Sequence, residues 1–527
     1  MGGICLMKTN AMKYIFFTIV ILMIGLAIYF LYIVEKENVY AIENDELKVN
    51  IIKELNIGII EYDTINPILS TNRDVQYINK LIFNSLIDIS YDFKIKNNLA
   101  NEFSKINDIT YIVKLKDNVY WHDGERFTAN DVIFTINNLK KNSISSIYKD
   151  NVKDIKEVQI IDDYTIKIIL NNKVEFFEYL MCIPILASHS YDDNFNSKTN
   201  VLIGTGKFKI AKIEGDSIIL ERTNIQNTSK IVKINLILKE TAKDLYESFS
   251  KEEIDFLITE NIQYEDYLGN LGYNVNQCAN REFDYLVLNN ENKILRDKQI
   301  RKVINCVIDK NEIIYNIYDN KYKTSKFPLD YGSYLNESSD EIEYDINKAK
   351  SILIENGWKI TNNTWMKNGR ILKLKLLVNK ENEKRVQAAK NIKEQLEKFG
   401  IKVNIIAANT NTFNNYIKYK NYDMILAGNV VSNNPNLVTY IGDNNLSNFN
   451  NEEVNNIINQ IKRIDNQEEF LKDKYSKLKE IYKEEMPFIS LYFNNLYIVS
   501  NKSLKGDLQG NWYNVYYNID SWYKVEQ

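Results

Sequence analysis

Histidine is nearly missing from this chain: His122 and His189 are the two in 527 residues, beside four cysteines with no CxxC spacing among them. Zinc sites draw their ligands from those residue types at short spacings, so no metal is expected, and no cofactor is implied. Segregated charge is missing too. The formal net charge is −4, and lysine-rich pieces such as 472–483 also carry Asp473 and Glu480. That is the pattern of solvated helix faces, not of a stripe that tracks phosphates, and nucleic acid is not an expected partner. No nucleophile is accompanied by a base and an orienting acid, which argues against an enzyme. Proline (5) and glycine (18) are sparse, and no low-complexity stretch breaks the pattern after Leu47.

What the chain does have is length, tyrosine and one long apolar run. A chain of 527 residues exceeds the size at which one core keeps growing, so two or three structural units are expected. Its 36 Tyr offer apolar area with a polar tip, useful in a core and along a wet cleft alike. From Tyr14 to Val34 run 21 residues without a charge; as a helix they cover about 31 Å, enough to cross a hydrocarbon core. Lys8 and Lys13 precede the run, which puts residues 1–13 in the cytoplasm and everything after the span outside. Residues 35–46, polar and acidic, read as a stalk. The rival reading is a removed leader with its cleavage site at Ala41; the length of the run and the charges before Ala41 favour the anchor. The expected location is the cell membrane, crossed once, with the bulk of the chain outside. Cys5 then lies inside, so Cys182, Cys278 and Cys306 can form at most one disulfide. Cys306, among Ile304 and Val307 in a helical pattern, reads as a packing residue.

Beyond the stalk, strands and helices alternate, which implies α/β domains with covered sheets. Thr128 followed by Asp131 is a variant of the capping box, with Val132, Ile133, Ile136 and Leu139 as its buried stripe. Asp345 caps a helix that Gly357 closes, and a stripe from Val386 to Phe399 stops at Gly400 before an alternating strand from Ile401. Strands are clear at Tyr111–Leu115 and Tyr164–Leu170. His122 stands in a Trp121-His122-Asp123-Gly124 turn and reads as architectural, as do Asp123 and Asp131. GTGKF at Gly204–Phe208 lacks the spacing of a phosphate loop and reads as a tight turn entering a strand.

The stretch YIVKLKDNVYWHDGERFTANDVIFTINNLKK, Tyr111–Lys141, resembles the signature of the family 5 solute-binding proteins, the peptide, nickel and opine binders of ABC importers. Other stretches fall in family order: TINPILSTNRDVQYINKLIFNSLIDI from Thr64, GTGKF against the family's GTGPY, and LNN…LRDKQIRKVINCVIDKNEII from Leu288. YDINKAKSILIENGW and QAAKNIKEQLEKFGIKVNI follow. The resemblance implies an α/β, two-lobed periplasmic-binding-protein-like fold (type II, cluster C). Lobe I would span 47–285 with an extra subdomain inserted at about 70–190, lobe II 286–490, and 491–527 would return to lobe I. Tyr285–Asn289 and Phe488–Phe493 are the expected hinge strands.

The resemblance also implies a ligand site. In the family's peptide binders the stretch matching Tyr422–Tyr440 carries Gly-Trp, then an Asp that pairs with the ligand's α-amino group, then a proline. Here Asn429 follows Gly428, and the Asp position falls on Ser432 counted from Gly428 or on Val431 counted back from Pro435. Neither is acidic. An unpartnered buried ammonium is costly, so either an acid elsewhere supplies the charge or the ligand lacks a free amino terminus. Main-chain groups ordinarily hold peptide backbones, which makes Gly428, Asn429, Val430 and Ser432 candidate wall residues. Thr64 and Asn66 on the first-lobe loop and Tyr492 near the hinge are the others, with turn formation at Asn66 and core packing at Tyr492 as equal readings. The expected partners are a peptide or peptide-like ligand, ABC permease subunits and the membrane, with the chain a monomer. A ligand sensor or docking protein with the same fold, or a nickel or haem chelate binder, are the alternatives.

Overall fold

The strands Tyr273–Leu288 and Phe488–Asn501, some two hundred residues apart in the chain, pair antiparallel along most of their length. Every residue of the second is buried, as is the Phe283–Leu288 end of the first. Strands covered on both faces carry continuous apolar runs in place of alternation, and FISLYF and FDYLVL are such runs. Both strands are longer than the apolar runs indicate. The first begins at Tyr273, because its Asn274–Cys278 portion is half-exposed and hides its ladder behind polar residues.

The computed structural model describes residues 51–526 except 193–194, 196, 200–201, 216, 225–229, 269–271, 337–343 and 463–467. The expected anchor at 14–34 and stalk at 35–46 lie outside the described residues. Among those described, no helix is long and apolar enough to cross a membrane. Residues 53–524 form one unit; of the other, 1–52 with 525–527, residues 51–52 and 525–526 are described.

Around the long pair an 11-stranded sheet extends both ways, with the short strand Lys323–Thr324 paired on Phe488–Asn501 off the main order. Toward one edge lie Met424–Val430, Lys373–Asn379 and Lys402–Ala408. Toward the other lie Phe256–Thr259, Glu54–Ile60, Lys233–Lys239, Ser217–Arg222 and Phe208–Glu214. Lys373–Asn379 pairs parallel with both Lys402–Ala408 and Met424–Val430, and helix Glu383–Phe399 makes the crossover. Gly400 ends that helix at φ +103°, as the sequence predicts. A separate four-stranded antiparallel sheet is built from Ala100–Asn107, Thr110–Leu115, Thr165–Leu170 and Ile155–Asp162. It falls within the stretch expected to be an insertion, and helix Ala129–Lys140 packs on its last-named strand.

The sequence motifs meet at a structural junction. Asp131 Oδ2 accepts from the Thr128 backbone N–H at 2.9 Å and from Trp121 Nε1–H at 3.3 Å, while its Oδ1 accepts from Ser188. His122 Nδ1 faces the Gly204 N–H at 3.2 Å, and its Nε2 faces the Gly206 carbonyl at 3.1 Å. A backbone N–H can only donate and a carbonyl can only accept, so the ring is the neutral Nε2–H tautomer. A side chain at 204 would overlap the Ile82 carbonyl oxygen. The two motifs are thus one clamp on the end of helix Arg73–Ile82. Cys306 is fully buried, and Cys182, Cys278 and Cys306 are free thiols.

A buried ion pair locks helix Glu383–Phe399 onto the first long strand. Arg385 donates to Asp284 at 2.7, 3.0 and 3.1 Å. Gly428 lies across the ladder from Asp284, and any side chain there would run into both charged groups. Burial raises the Asp284 carboxyl pKa, while the Arg385 hydrogen bonds and charge pull it back down.

Arg385→Met is expected to lose about 3–5 kcal/mol, because it strands a buried carboxylate. Adding Asp284→Asn should restore part of that loss, both read from urea midpoints. Burial also holds the His122 pKa below its ordinary value. A histidine depressed in the fold binds its proton more readily when unfolded, so its contribution is complete above about pH 6.5 and declines as pH falls below that. Wild type should therefore lose stability between pH 7 and 5 at up to about 1.4 kcal/mol per pH unit from this group. His122→Gln should flatten that slope in denaturant titrations.

Candidate functional site

The pairing of the two long strands shifts register twice, once between Asp284 and Tyr285 and, more widely, between Ala279 and Phe283. Ala279 faces Asn495 and the next pair is Phe283 with Phe493. The first strand therefore carries two residues more than its partner across this step. Bulges re-aim side chains and recur beside binding sites. Here three backbone groups of the bulge find partners. Asn280 Oδ1 accepts from the Arg281 backbone N–H at 2.8 Å and from Arg73 at 2.6 Å. Asn494 Oδ1 accepts from the Glu282 N–H at 3.1 Å, and the Arg281 carbonyl accepts from the Val431 N–H at 2.9 Å.

A cavity of about 500 Å³ opens against this bulge. Asn280, Arg281 and Glu282 form one wall, and Thr71, Arg73, Gln76, Tyr77 and Lys80 a second along helix Arg73–Ile82. Val430 with Ser432–Asn434 and the pair Trp512–Tyr513 close it. Ile147, Tyr148, Asn151, Tyr179, Leu180 and Cys182 complete the lining, so the walls come from six separate stretches of chain and nothing local in the sequence announces them.

The cavity is rich in cations, and they are not equally satisfied. Arg73 pairs with Glu260 and donates to Tyr77. Lys80 lies 3.7 Å above the Tyr513 ring and 3.8 Å from Asp88. Arg281 sits 4.8 Å from the Trp512 ring, a cation–π distance, and donates Nε–H to the Val431 carbonyl at 2.9 Å. No carboxylate lies within ion-pair distance of it among the described residues. Burial, and after it the Arg73 charge, press its pKa below the ordinary value. Trp512 adds a buried Nε1–H with no acceptor. Glu282 is the one carboxylate among the described lining residues. Cys182 also borders the space, but burial pushes its thiol up to about 12, so it is no thiolate nucleophile.

Of the residues singled out in the sequence, Val430 and Ser432 border the cavity. Gly428 and Asn429 lie on the same strand behind them: Gly428 leaves room for the Arg385–Asp284 pair, and Asn429 Nδ2 donates to the Tyr285 hydroxyl at 3.2 Å. Thr64 and Asn66 do not border it. Thr64 Oγ1 accepts from the Asn66 N–H, and Asn66 Oδ1 accepts from the Ile68 N–H at 3.1 Å, closing a turn. Asp63 pins the rest of that loop through Ser70 and Thr71, whose hydrogen bonds hold its carboxyl far below the usual range. Thr71, seven residues beyond Thr64, is where the loop reaches the cavity. Tyr492 is fully buried, its hydroxyl 3.2 Å from that of Tyr318, and it packs in the core instead of facing solute. Arg281 and Glu282 escaped notice in the sequence. The signal for them is a polar Asn-Arg-Glu triplet directly before the apolar FDYLVL run.

A model of bacterial extracellular solute-binding proteins, family 5 (middle), matches residues 94–451, about two thirds of the chain. The oligopeptide-binding protein AppA of Bacillus subtilis (strain 168) is 23% identical over 509 residues, covering 89% of this chain and 91% of that protein. The fold is shared with the periplasmic murein tripeptide binding protein MppA in its unliganded open form, at TM-score 0.78 and 18% identity over 91% of this chain and 98% of that one. It is shared also with NikZ from Campylobacter jejuni in complex with Ni(L-His), at TM-score 0.58 and 23% identity over 90% and 99%. The mixed α/β body, its paired long strands and its motifs thus match the two-lobed solute-binding proteins, and the chain belongs to the bacterial extracellular solute-binding proteins, family 5.

Proposed function

We propose that this chain is a membrane-anchored extracellular solute-binding protein of an ABC importer, which captures peptide-class solutes between two lobes and delivers them to a permease. The family consists of substrate-binding proteins of such importers and is non-enzymatic in general. In this reading lobe I is 47–285 with its insertion at about 70–190, lobe II is 286–490, 491–527 returns to lobe I, and the lobes close about the long strands. The apolar run 14–34 holds the monomer at the membrane.

The observation that carries the reading is the unpaired Arg281 guanidinium on the bulge, stacked on Trp512 at the cavity wall. A half-buried cation without a counter-charge calls for an anion or a strong acceptor. A carboxylate or a peptide carbonyl supplies one. Glu282, across the ladder from Val430, supplies the acid that positions 431 and 432 lack. A ligand ammonium can pair with Glu282 while a ligand carboxylate or carbonyl pairs with Arg281. The exposed Val430 backbone and Ser432 then lie along the peptide main chain, and Gly428 and Asn429 support that edge.

The full chain, incubated with a peptide digest and washed, is expected to retain peptides identifiable by mass spectrometry; retention of a metal chelate alone would overturn the peptide assignment. Arg281→Ala should weaken binding of a retained peptide by about 1.5–3 kcal/mol, roughly ten- to a hundredfold in Kd. An unchanged Kd by calorimetry would remove Arg281 from the site. In cells the chain should stay with the membrane through alkaline extraction, and a chain lacking residues 1–41 should not.

A further inference from the structure

Charge at the wall of the main cavity does not balance. Among its described lining residues stand three cations, Arg73, Lys80 and Arg281, and one carboxylate, Glu282. Arg73 is neutralised by Glu260. Arg281 and Glu282 cancel in charge and offer one site each to the two ends of a zwitterionic peptide. Lys80 remains. The carboxylate it faces, Asp88, is 3.8 Å away, beyond hydrogen-bond distance. That carboxylate also faces Lys96 at 3.5 Å and accepts from the Tyr513 hydroxyl at 2.8 Å. One carboxylate shared by two ammoniums leaves one positive charge over.

The excess sits where a solute can reach it. Lys80 is on the last turn of helix Arg73–Ile82 with its side chain 23% exposed. It borders both the main cavity and a smaller space of about 40 Å³ that opens beside it. Its ammonium rests 3.7 Å from the centre of the Tyr513 ring, as Arg281 rests 4.8 Å from that of Trp512, and the two rings are 6.2 Å apart. Adjacent residues thus hold both cations on one wall. A ring face orients an ammonium without neutralising it. Burial presses the Lys80 pKa down and Asp88 pulls it back up; a further carboxylate in contact would hold the proton on it. Cys182 borders the same two spaces as a neutral thiol and adds no charge.

We infer that Lys80 is a specificity residue for a second carboxylate on the bound solute, so that the chain prefers peptides with an acidic side chain, Glu or Asp, over the corresponding amides. The inference rests on the peptide-binding function proposed above. A neutral zwitterionic peptide satisfies Glu282 and Arg281 and leaves Lys80 unanswered, whereas an acidic side chain answers it. The isosteric amide brings a carbonyl of the same shape and no charge, and hydrogen bonds between two ionised groups are the stronger kind. The chain as a whole carries a formal net charge of −4, so its long-range field disfavours anions and a preference for acid reports the site.

The test offers the purified full chain tetrapeptides randomised over Glu, Gln, norleucine and Ala, and reads the retained peptides by mass spectrometry. Wild type is expected to enrich Glu over Gln at one position by about tenfold or more. In Lys80→Met that ratio should fall to about one, and in Asp88→Asn, which removes the competing carboxylate, it should rise. Wild type retaining Gln as well as Glu at every position overturns the inference and leaves peptide binding standing. An unchanged ratio in folded Lys80→Met overturns it too, as does an unchanged or lowered ratio in folded Asp88→Asn. Retention of no peptide by wild type overturns the peptide-binding function itself, and the subsite falls with it.

Discussion

The bulge at 280–282, where three residues of the first long strand stand against one of its partner, is the constraint on which the site depends. With one residue against one, Arg281 would take its place in an ordinary ladder. With the bulge, Arg281 and Glu282 turn into open space beside helix Arg73–Ile82, while the Arg281 and Glu282 N–H groups and the Arg281 carbonyl find side-chain or main-chain partners. The cost of an interrupted ladder is thereby offset locally. What remains without a counter-charge among the described residues is the Arg281 guanidinium, at the wall of a cavity. Unmet donors at a cavity wall are what a solute can repay.

The surroundings hold that bulge rigid. One step along the strand from the last bulge pair, Asp284 is locked to Arg385, and Gly428 keeps the neighbouring strand close enough for the lock to fit. Arg73 ties Asn280 back to the helix that forms the opposite wall, and Glu260 neutralises Arg73 so that it does not compete with Arg281 for an incoming anion. The end of the same helix is clamped by the His122 turn and Gly204. The motif that marks the family in the sequence therefore acts on the site at one remove, by fixing a wall and touching no solute.

That arrangement explains what could be read from the sequence. The fold was legible because its signals are local: the Thr128–Asp131 helix start, the Gly400 stop, the apolar runs of the long strands and the order of the motifs. Of the wall residues that the family resemblance implied, Val430 and Ser432 border the cavity, since the strand Met424–Val430 that the resemblance located ends there. Tyr492 and Asn66 could not be resolved in advance, since a tyrosine in a buried run and an asparagine before proline each serve core or turn as well as ligand. Arg281 and Trp512 were out of reach for another reason. Their roles come from which distant stretches the sheet brings together, and from a register shift that no spacing in the chain reveals.

The most direct measurement is a crystal structure of the chain with a solute it has retained. The account predicts density in the cavity between the bulge and helix Arg73–Ile82, with an acceptor atom of the solute against the Arg281 guanidinium and both lobes in contact with it. A solute bound elsewhere, or a cavity filled by the protein's own side chains with Arg281 paired internally, would contradict it.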